Sequence, residues 1–397
     1  MRVNMSDHIK CTGCGLCKEI CPVQAIEMKE DEYGFRYACT NSSKCIDCGK
    51  CEKVCEKIKA GLKTPLLCYA AARASEEKRM ISSSGGMFAA LAETILAKGG
   101  VVCGCELNPD MVTKHICIKE KKDLIRLLGS KYVQSDLQDV FKELRHHMNA
   151  GRQVLFCGTP CQVAAVKEYL ADGDHLITVE LICHGVPSNR MFRDYIHLTM
   201  EKNGSGEPAA FVFRDKRQGW SYNGRLTYKD PAGKTKDLKL PHRLSSYMTY
   251  FLDCDTYRDS CYSCPYAGEK RGADITIGDY WGVLKQCPEI TQKIDISKGV
   301  SCCIVNTEKG KKMFESTEDL IWVKTDYKRV RAGNEPLNEP SKQSGKREQI
   351  LDLYKQNGWD AVEQEFAKHG RIKRFVFRLY NMMPVGVQQM IRNVRDR

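Results

Sequence analysis

The chain has 397 residues, of which 42% are hydrophobic and 28% are charged, and its formal net charge is +12. This length and composition exclude a single small electron carrier and a low-complexity protein, and they predict two or three globular domains. No apolar run approaches 18 residues and no apolar signal segment is visible, so we expect a cytoplasmic protein without a membrane span. Without an export signal, the 22 cysteines favour metal ligation over disulfides.

The N-terminal segment, residues 1–63, carries one cysteine pattern twice. Runs of the form C-x2-C-x2-C-x3-C begin at Cys11 and at Cys45, and residues 26–37 between them predict a hairpin around Gly34. Two-cluster ferredoxins hold 4Fe–4S clusters with this spacing, and the last cysteine of each run ligates the other cluster. Zinc sites seldom place three cysteines at such short and even intervals. The spacing therefore predicts two 4Fe–4S clusters, one on Cys11, Cys14, Cys17 and Cys55 and the other on Cys45, Cys48, Cys51 and Cys21.

Beyond Pro65 the predicted elements alternate between strand and helix, which is typical of an α/β fold with a largely parallel sheet. We divide this region into a first lobe, residues 64–204, and a second lobe, residues 205–330, in which strands joined by turns become more frequent. The predicted helices span residues 87–96, 140–148, 162–170 and 309–314. The predicted strands span residues 66–71, 101–104, 153–156, 176–182, 211–214, 224–229, 234–240, 274–278 and 300–306.

Residues 331–397 are predicted as a linker, rich in Gly, Pro, Asn and Ser up to residue 345, and a helical tail. Residues 341–397 contain twelve Lys or Arg against six Asp or Glu, so they supply half of the net charge. Apolar residues recur at helical spacing from Ile372 to Met383, with basic residues beside them. Two interpretations remain open: a basic amphipathic helix on a membrane surface or a partner protein, or a terminal helix docked on its own domain.

Three segments at predicted element boundaries have the composition of a ligand site. Residues 81–86 (Ile-Ser-Ser-Ser-Gly-Gly) precede a predicted helix, where hydroxyls, glycines and free N–H groups suit a pyrophosphate; the simpler interpretation is a helix cap. Residues 156–162 and 181–187 follow two consecutive predicted strands. Because ligands of open parallel sheets bind beyond the carboxyl ends of the strands, we expect Cys161 and Cys183 to lie at the same edge.

A third, discontinuous 4Fe–4S site is one interpretation of four further cysteines. It would join Cys161 and Cys183 with the C-x2-C pair Cys261 and Cys264, and such sites follow no fixed spacing rule. Half of a zinc site and a surface redox pair are alternative interpretations of the C-x2-C pair. The alternative cluster ligands are Cys157 and Cys254.

A resemblance to a known family rests on seven short segments between residue 63 and residue 330. They are Ser83–Gly86, Gly129–Tyr132, Cys157–Gln162, Leu181–Gly185, Phe213–Lys216, Cys261–Cys264 and Ala273–Gly282. In kind and order they resemble segments of the β subunit of coenzyme F420 hydrogenase/dehydrogenase. The resemblance implies an iron–sulfur flavoprotein that binds FAD in an α/β domain and passes electrons between a 4Fe–4S cluster and the flavin. It also implies hydride exchange with a deazaflavin, such as coenzyme F420, or with another small organic acceptor.

The resemblance also implies roles for individual residues. The implied ligands of a cluster beside the flavin are Cys161, Cys183, Cys261 and Cys264. The implied FAD neighbours are Ser84, Gly85, Gly86, Lys131, Tyr132 and Thr159. A cation at Lys131 favours the anionic reduced flavin ring, Asp279 is implied to bind the cofactor or the substrate, and His184 is a candidate proton donor.

Two functions therefore remain open. The first is an oxidoreductase in which FAD connects single-electron transfer through the clusters to two-electron chemistry on an organic substrate, with ferredoxin or another redox protein as partner. The second is a non-catalytic electron-relay subunit of a larger complex. No groove-reading motif or RNA-binding platform accompanies the positive charge, so nucleic-acid binding is not expected.

Overall fold

The computed structural model describes residues 9–57, 61–137, 139–171, 173–383 and residue 387. In the N-terminal part, each cysteine run leads into a short helix, and an antiparallel hairpin lies between the two runs. The hairpin turns at Gly34, whose φ of 81° is a left-handed conformation that favours glycine. The predicted hairpin is thus confirmed. The elements are α1 Leu16–Glu19, β1 Ile26–Glu30, β2 Arg36–Thr40 and α2 Lys50–Lys57.

The next part of the chain alternates strands and helices as the sequence predicts. Its strands are apolar and deeply buried; β6, for example, reads Val-Leu-Phe-Cys-Gly and is buried at every position, as strands covered on both faces are. The elements are β3 Leu67–Arg73, α3 Glu76–Met80, α4 Met87–Ala97, β4 Val101–Leu107, β5 Thr113–Ile118, α5 Val140–Asn149, β6 Val154–Gly158, α6 Pro160–Leu170, β7 Leu176–Leu181 and α7 Asn189–Lys202.

A small antiparallel sheet then precedes the last strands of the fold. Its three strands occur in the order β10-β9-β8, and the turn at residues 230–233 joins two of them as predicted. The elements are β8 Glu207–Val212, β9 Asn223–Lys229, β10 Thr235–Pro241, α8 Ser246–Leu252, β11 Ile275–Asp279, α9 Val283–Gln286, β12 Ser301–Val305, α10 Glu308–Glu315, β13 Leu320–Thr325 and α11 Tyr327–Arg331.

The main sheet has eight strands in the order β13-β3-β12-β11-β7-β6-β4-β5. Only β4, β6, β7 and β11 pair in parallel, and the other pairings are antiparallel. The prediction of a largely parallel sheet was therefore wrong, and the sheet is mixed. The reason is that β12 follows β11 without a long crossover helix, and antiparallel neighbours need none. Strands from both predicted lobes share this sheet, so the boundary at residue 205 does not separate two sheets.

The segment predicted as a linker, residues 331–345, packs on the body of the protein. Leu337 is fully buried, the carbonyl of Pro336 accepts a hydrogen bond from the backbone of Gly268, and the Ser341 hydroxyl donates to the carbonyl of His184. These contacts place the segment beside the end of β7.

The tail forms two helices with different surroundings, α12 Arg347–Lys368 and α13 Arg371–Met382. Helix α12 bends at Gly358 (φ 65°) and buries Trp359 and Val362 in the core formed with α7 and α8. Helix α13 leaves a row of apolar side chains exposed: Ile372, Phe375, Val376, Leu379 and Met382. Within the described residues, no helix is both long and apolar enough to cross a membrane. The docked interpretation fits α12, and the amphipathic interpretation fits α13.

Candidate functional site

The eight N-terminal cysteines come together in the two groups that their spacing predicts. Group I consists of Cys11, Cys14, Cys17 and Cys55. Burial raises the pKa of Cys14 and Cys17, and the neighbouring thiols of Cys11 and Cys55 add to the rise in both. Group II consists of Cys21, Cys45, Cys48 and Cys51, which line one cavity of about 20 Å³. In each group the fourth cysteine comes from the other run, as in two-cluster ferredoxins.

Four cysteines from distant segments form a third group in the α/β region. Group III consists of Cys161, Cys183, Cys261 and Cys264, which line one cavity of about 50 Å³, here called the cysteine cavity. Cys14 of group I lines the same cavity. Neither alternative ligand does: Cys157 lines a different cavity, and Cys254 lines neither. The structure therefore brings together the four cysteines that the resemblance implies.

The fold fixes Cys161 and Cys183 at the carboxyl ends of two parallel strands. Cys161 lies in the first turn of α6, directly after Thr159 and Pro160, which form the cap and first residue of that helix. The Thr159 hydroxyl lies 3.2 Å from the Cys161 sulfur. Cys183 lies just beyond the end of β7. Both ligand candidates are thus held by rigid elements.

The donor set of group III suits an iron–sulfur cluster. Burial, followed by the charges of neighbouring cysteines, raises the pKa of Cys264 to about 11, and burial raises the pKa of Cys261 to about 12. Such thiols remain protonated until the cationic iron–sulfide core of a cluster binds, because metal binding needs the thiolate and releases its proton. Among the described residues, no three His, Cys, Asp or Glu side chains could hold one metal ion. The thiolates of a 4Fe–4S cluster bind different irons and therefore lie farther apart.

A larger cavity of about 210 Å³, here called the large cavity, adjoins the cysteine cavity. The two cavities share part of their wall, formed by Ser135, Thr159, Gln162, Cys183, His184, Gly185 and Val186. Any molecule in the large cavity therefore lies against the residues that surround group III.

Most of the implied flavin neighbours line this large cavity, but two do not. Gly86, Lys131, Tyr132, Thr159 and Asp279 all contribute to its wall, and so does His184. The structure does not bring Ser84 and Gly85 to the wall. The Ser84 hydroxyl donates to the carbonyl of Val300 at 2.8 Å, and a side chain at Gly85 would clash with the backbone of Ala71. These two residues shape the loop, and their neighbours Ser82 and Ser83 line the cavity instead.

Lys131 presents a buried ammonium group to the large cavity. Its Nζ donates to the carbonyl oxygens of Leu127 at 2.8 Å and Leu128 at 2.7 Å. Burial lowers the pKa of Lys131 to about 8, so the group is mostly charged at neutral pH. An ammonium group has three donors, and these two bonds leave one for a ligand in the cavity.

Arg214, to which no role was assigned from the sequence, lies beside two of the implied residues. Its Nη1 donates to Asp279 Oδ2 at 2.8 Å and to the Tyr132 hydroxyl at 2.9 Å. The indole of Trp220 donates to Asp279 Oδ1 at 2.6 Å. Asp279 is therefore neutralised by Arg214, and together they fix one wall of the cavity. Arg214 belongs to Phe213–Lys216, one of the segments on which the resemblance rests. Its burial, however, depends on residues far away in the sequence.

A buried hydrogen-bond network, which sequence reasoning also missed, joins the two cavities. The Thr159 hydroxyl donates to Gln162 Oε1, Gln162 Nε2 donates to the Ser135 hydroxyl, and that hydroxyl bonds His115 Nδ1 at 2.9 Å. Burial lowers the pKa of His115 to about 4, so its ring is neutral. Burial also lowers the pKa of His184. Neutral imidazoles can accept or donate protons at this wall.

Comparisons with known proteins agree with these groups of residues. Residues 10–57 match the family model of the 4Fe–4S dicluster domain, and this range contains groups I and II. Residues 151–327 match the family model for the C terminus of the beta subunit of coenzyme F420 hydrogenase/dehydrogenase, and this range contains group III and Asp279. The resemblance is thus confirmed, and the chain is an iron–sulfur electron-transfer protein.

Among solved structures, the chain is similar to a chain of the F420-reducing NiFe hydrogenase complex from Methanosarcina barkeri, determined with xenon derivatization. The sequence identity is 16%, the TM-score is 0.40, and the similarity covers 77% of this chain and 92% of that chain. A TM-score of 0.40 is too low to establish a common fold. No curated protein matches the chain significantly.

Proposed function

We propose that this chain, which combines a 4Fe–4S dicluster domain with the C-terminal domain of the coenzyme F420 hydrogenase/dehydrogenase β subunit family, is an iron–sulfur flavoprotein oxidoreductase. In this proposal group III holds a third 4Fe–4S cluster and the large cavity holds FAD. The organic substrate is a deazaflavin such as coenzyme F420 or another small hydride acceptor. The observation that carries the proposal is the wall shared by the cysteine cavity and the large cavity.

Each part of the large cavity has a role in this proposal. Bound FAD would supply the exchange between one-electron and two-electron chemistry. The N-terminus of α4, with Ser83 before it and Met87, Phe88 and Ala89 in its first turn, offers a hydroxyl and helix N–H donors to a pyrophosphate. Lys131 supplies positive charge, which favours negative charge on a ring beside it. His184 is the proposed proton donor, because it lines both cavities.

The three cysteine groups support electron transfer in series. Cys14 belongs to group I and also lines the cysteine cavity of group III. The ring of Tyr266 lies within electrostatic range of Cys161 and Cys264 from group III and of Cys14 and Cys55 from group I. Group I is therefore the neighbour of group III, and group II lies beyond it, toward a ferredoxin or other redox partner. We propose that this exchange takes place in the cytoplasm and without nucleic acid.

The first test is the cofactor content of the anaerobically purified chain. About twelve irons and one FAD per polypeptide are expected for three clusters and a flavin. Reduced ferredoxin should then reduce the flavin, and the flavin should reduce coenzyme F420 or another acceptor. About eight irons without flavin would contradict the proposal.

One observation favours the second candidate function, an electron-relay subunit. The apolar row of α13 includes Ile372, 81% exposed, and Phe375, 61% exposed, on the side away from the body, with arginines beside it. An amphipathic helix with basic flanks suits a partner protein or an anionic membrane surface. Unlike α12, this helix can be changed without disturbing the core.

The double variant F375S/L379S tests this surface in the full chain. We expect it to abolish cofractionation with a redox partner, or sedimentation with anionic phospholipid vesicles, while stability changes by about 0.5 kcal/mol or less. The matched control is L284S, which changes an exposed leucine elsewhere. If F375S/L379S binds both the redox partner and the vesicles as the wild type does, α13 is not a contact surface.

A further inference from the structure

Arg258 lies buried between cysteine groups I and III, with 1% of its surface exposed. Its Nε donates to the carbonyl of Cys11 at 2.8 Å, and its Nη2 lies 3.9 Å from the Cys11 sulfur. It also lines the cysteine cavity of group III. One guanidinium therefore lies beside both groups of cysteines.

The charge of Arg258 has no carboxylate partner within the described part of the chain. Its hydrogen bonds go to neutral acceptors, the carbonyls of Cys11 and Arg36 and the side chain of Gln134. The carboxylate that follows it in sequence, Asp259, is paired with Arg347 instead. Three other buried arginines are paired with carboxylates, Arg73 with Glu93 and Asp319, Arg214 with Asp279, and Arg271 with Glu180. Buried Arg79, like Arg258, has no carboxylate partner among the described residues, but it lines neither cavity.

A buried cation without a counter-charge is strongly unfavourable. The Cys11 sulfur of group I lies 3.9 Å from this one, and the cysteines of group III share a cavity with it. Thiolate-ligated 4Fe–4S clusters are anionic, and each added electron increases their negative charge. The charge of Arg258 is therefore balanced when anionic clusters occupy the two groups.

The surroundings hold the guanidinium in place. It lies over the ring of Tyr37 at 4.0 Å from the centroid, in a cation–π contact. A Cβ at Gly13 would lie 3.0 Å from its central carbon, so the group I loop approaches this closely only with glycine. Gln134 also donates to the carbonyl of Thr12. Arg258 cannot turn away from the clusters without displacing the loop.

We propose that Arg258 is a positioning residue that provides the shared counter-charge of the group I and group III clusters and raises the reduction potential of both. For group III this rests on the proposed function, whereas for group I it rests only on the matched dicluster domain. A fixed positive charge stabilises the reduced form of each cluster, and burial prevents screening by salt. Arg258 thus favours electron transfer between the two groups over loss of the electron to solvent oxidants.

The test is a potentiometric titration of the full chain, followed by electron paramagnetic resonance, in variants R258K and R258Q. Both variants keep a hydrogen-bond donor, but only R258K keeps the charge. We expect R258Q to lower the equilibrium constant for reduction of the group I and group III clusters about tenfold each. This corresponds to a decrease of about 59 mV in each one-electron reduction potential. R258K should remain close to the wild type. The group II cluster is the internal reference, and K50Q, an exposed change beside it, is the surface-charge control.

Iron analysis separates the failure of this proposal from the failure of the proposed function. If the wild type contains about eight irons, group III holds no cluster, and the prediction for group I still applies. Equal potentials in R258Q and the wild type would overturn the proposal. If R258Q loses the group I cluster and R258K retains it, the charge is required, as proposed. If both variants lose it, the shape of the guanidinium and not its charge is required, and the proposal is wrong.

Discussion

Groups II and III are both sets of four cysteines, but they are held in different ways. In group II, Cys21, Cys45 and Cys48 lie on loops and Cys51 lies in the first turn of the short helix α2; Cys48 is exposed, and Ile46, which follows Cys45, is 62% exposed. In group III, Cys161 and Cys183 lie at the ends of β6 and β7, and Cys261 and Cys264 lie in the segment between α8 and β11. The first site is organised mainly by the cluster that it binds, whereas the second is organised by the sheet before any cluster binds.

Iron removal is expected to have the largest effect and to separate these two regions. Metal–thiolate bonds contribute folding free energy where the surrounding core is small. We expect chelation of iron to abolish the protection of residues 21–55 against hydrogen exchange, while residues 67–325 retain theirs. Mass-spectrometric hydrogen exchange of the full chain measures both regions together. An equal loss of hydrogen-exchange protection in the two regions would contradict the proposed difference between groups II and III.

Substitution of one cysteine in group III should have a local effect. We expect C183S to lose about four of twelve irons and to stop electron transfer between the flavin and the N-terminal clusters, because Cys183 lines both cavities. The α/β body should remain folded, since the sheet holds the segment. Iron analysis and stopped-flow reduction by ferredoxin measure the two effects. The control is C254S, whose thiol lies outside both cavities, and it should keep all of its iron.

The same difference explains how much the sequence could predict. The ligands of groups I and II are close in sequence, so their spacing alone predicts the clusters. The predicted helix 162–170 likewise lies within α6, which begins two residues earlier at Pro160. In contrast, the Ser84 hydroxyl binds the backbone at residue 300, a contact that no local pattern reports.

The prediction of a largely parallel sheet failed for a similar reason. Strand β3 lies between β12 and β13, which follow it by more than 200 residues. Strand β5 was also not predicted, and neither was helix α7, although the buried positions of α7 recur at helical spacing from Met191 to Met200. Site residues that depend on such long-range packing, including Arg214 and His115, needed the structure.

The ion pair of Arg214 and Asp279 tests whether the wall of the large cavity forms without a cofactor. Arg214 is buried, and removal of one member of a buried pair typically costs 3–5 kcal/mol, so we expect R214M to lower the unfolding free energy by about that amount. The double variant R214M/D279L should recover part of the loss, because no unpaired charge remains. Urea denaturation of the flavin-free protein measures this, and an additive loss in the double variant would show that the pair is not coupled.

The contribution of Lys131 to stability is the smallest of the expected effects. Its dependence on pH tests whether the same wall of the large cavity is formed before a cofactor binds. Burial lowers the pKa of Lys131 from 10.5 to about 8. Below pH 8 the folded protein must keep the buried ammonium charged. Between pH 8 and 10.5 the unfolded chain binds a proton that the folded protein does not, so the unfolding free energy contributed by Lys131 rises with pH.

Comparison of the wild type with K131M isolates this contribution from those of all other titrating groups. The wild type should gain stability relative to K131M as the pH rises from 8 to 10.5, by at most about 3 kcal/mol. Urea denaturation of both flavin-free proteins at each pH measures the difference. A constant difference across this range would mean that Lys131 is solvated in the absence of flavin. The large cavity would then be organised by its ligand, as group II is, and not by the sheet.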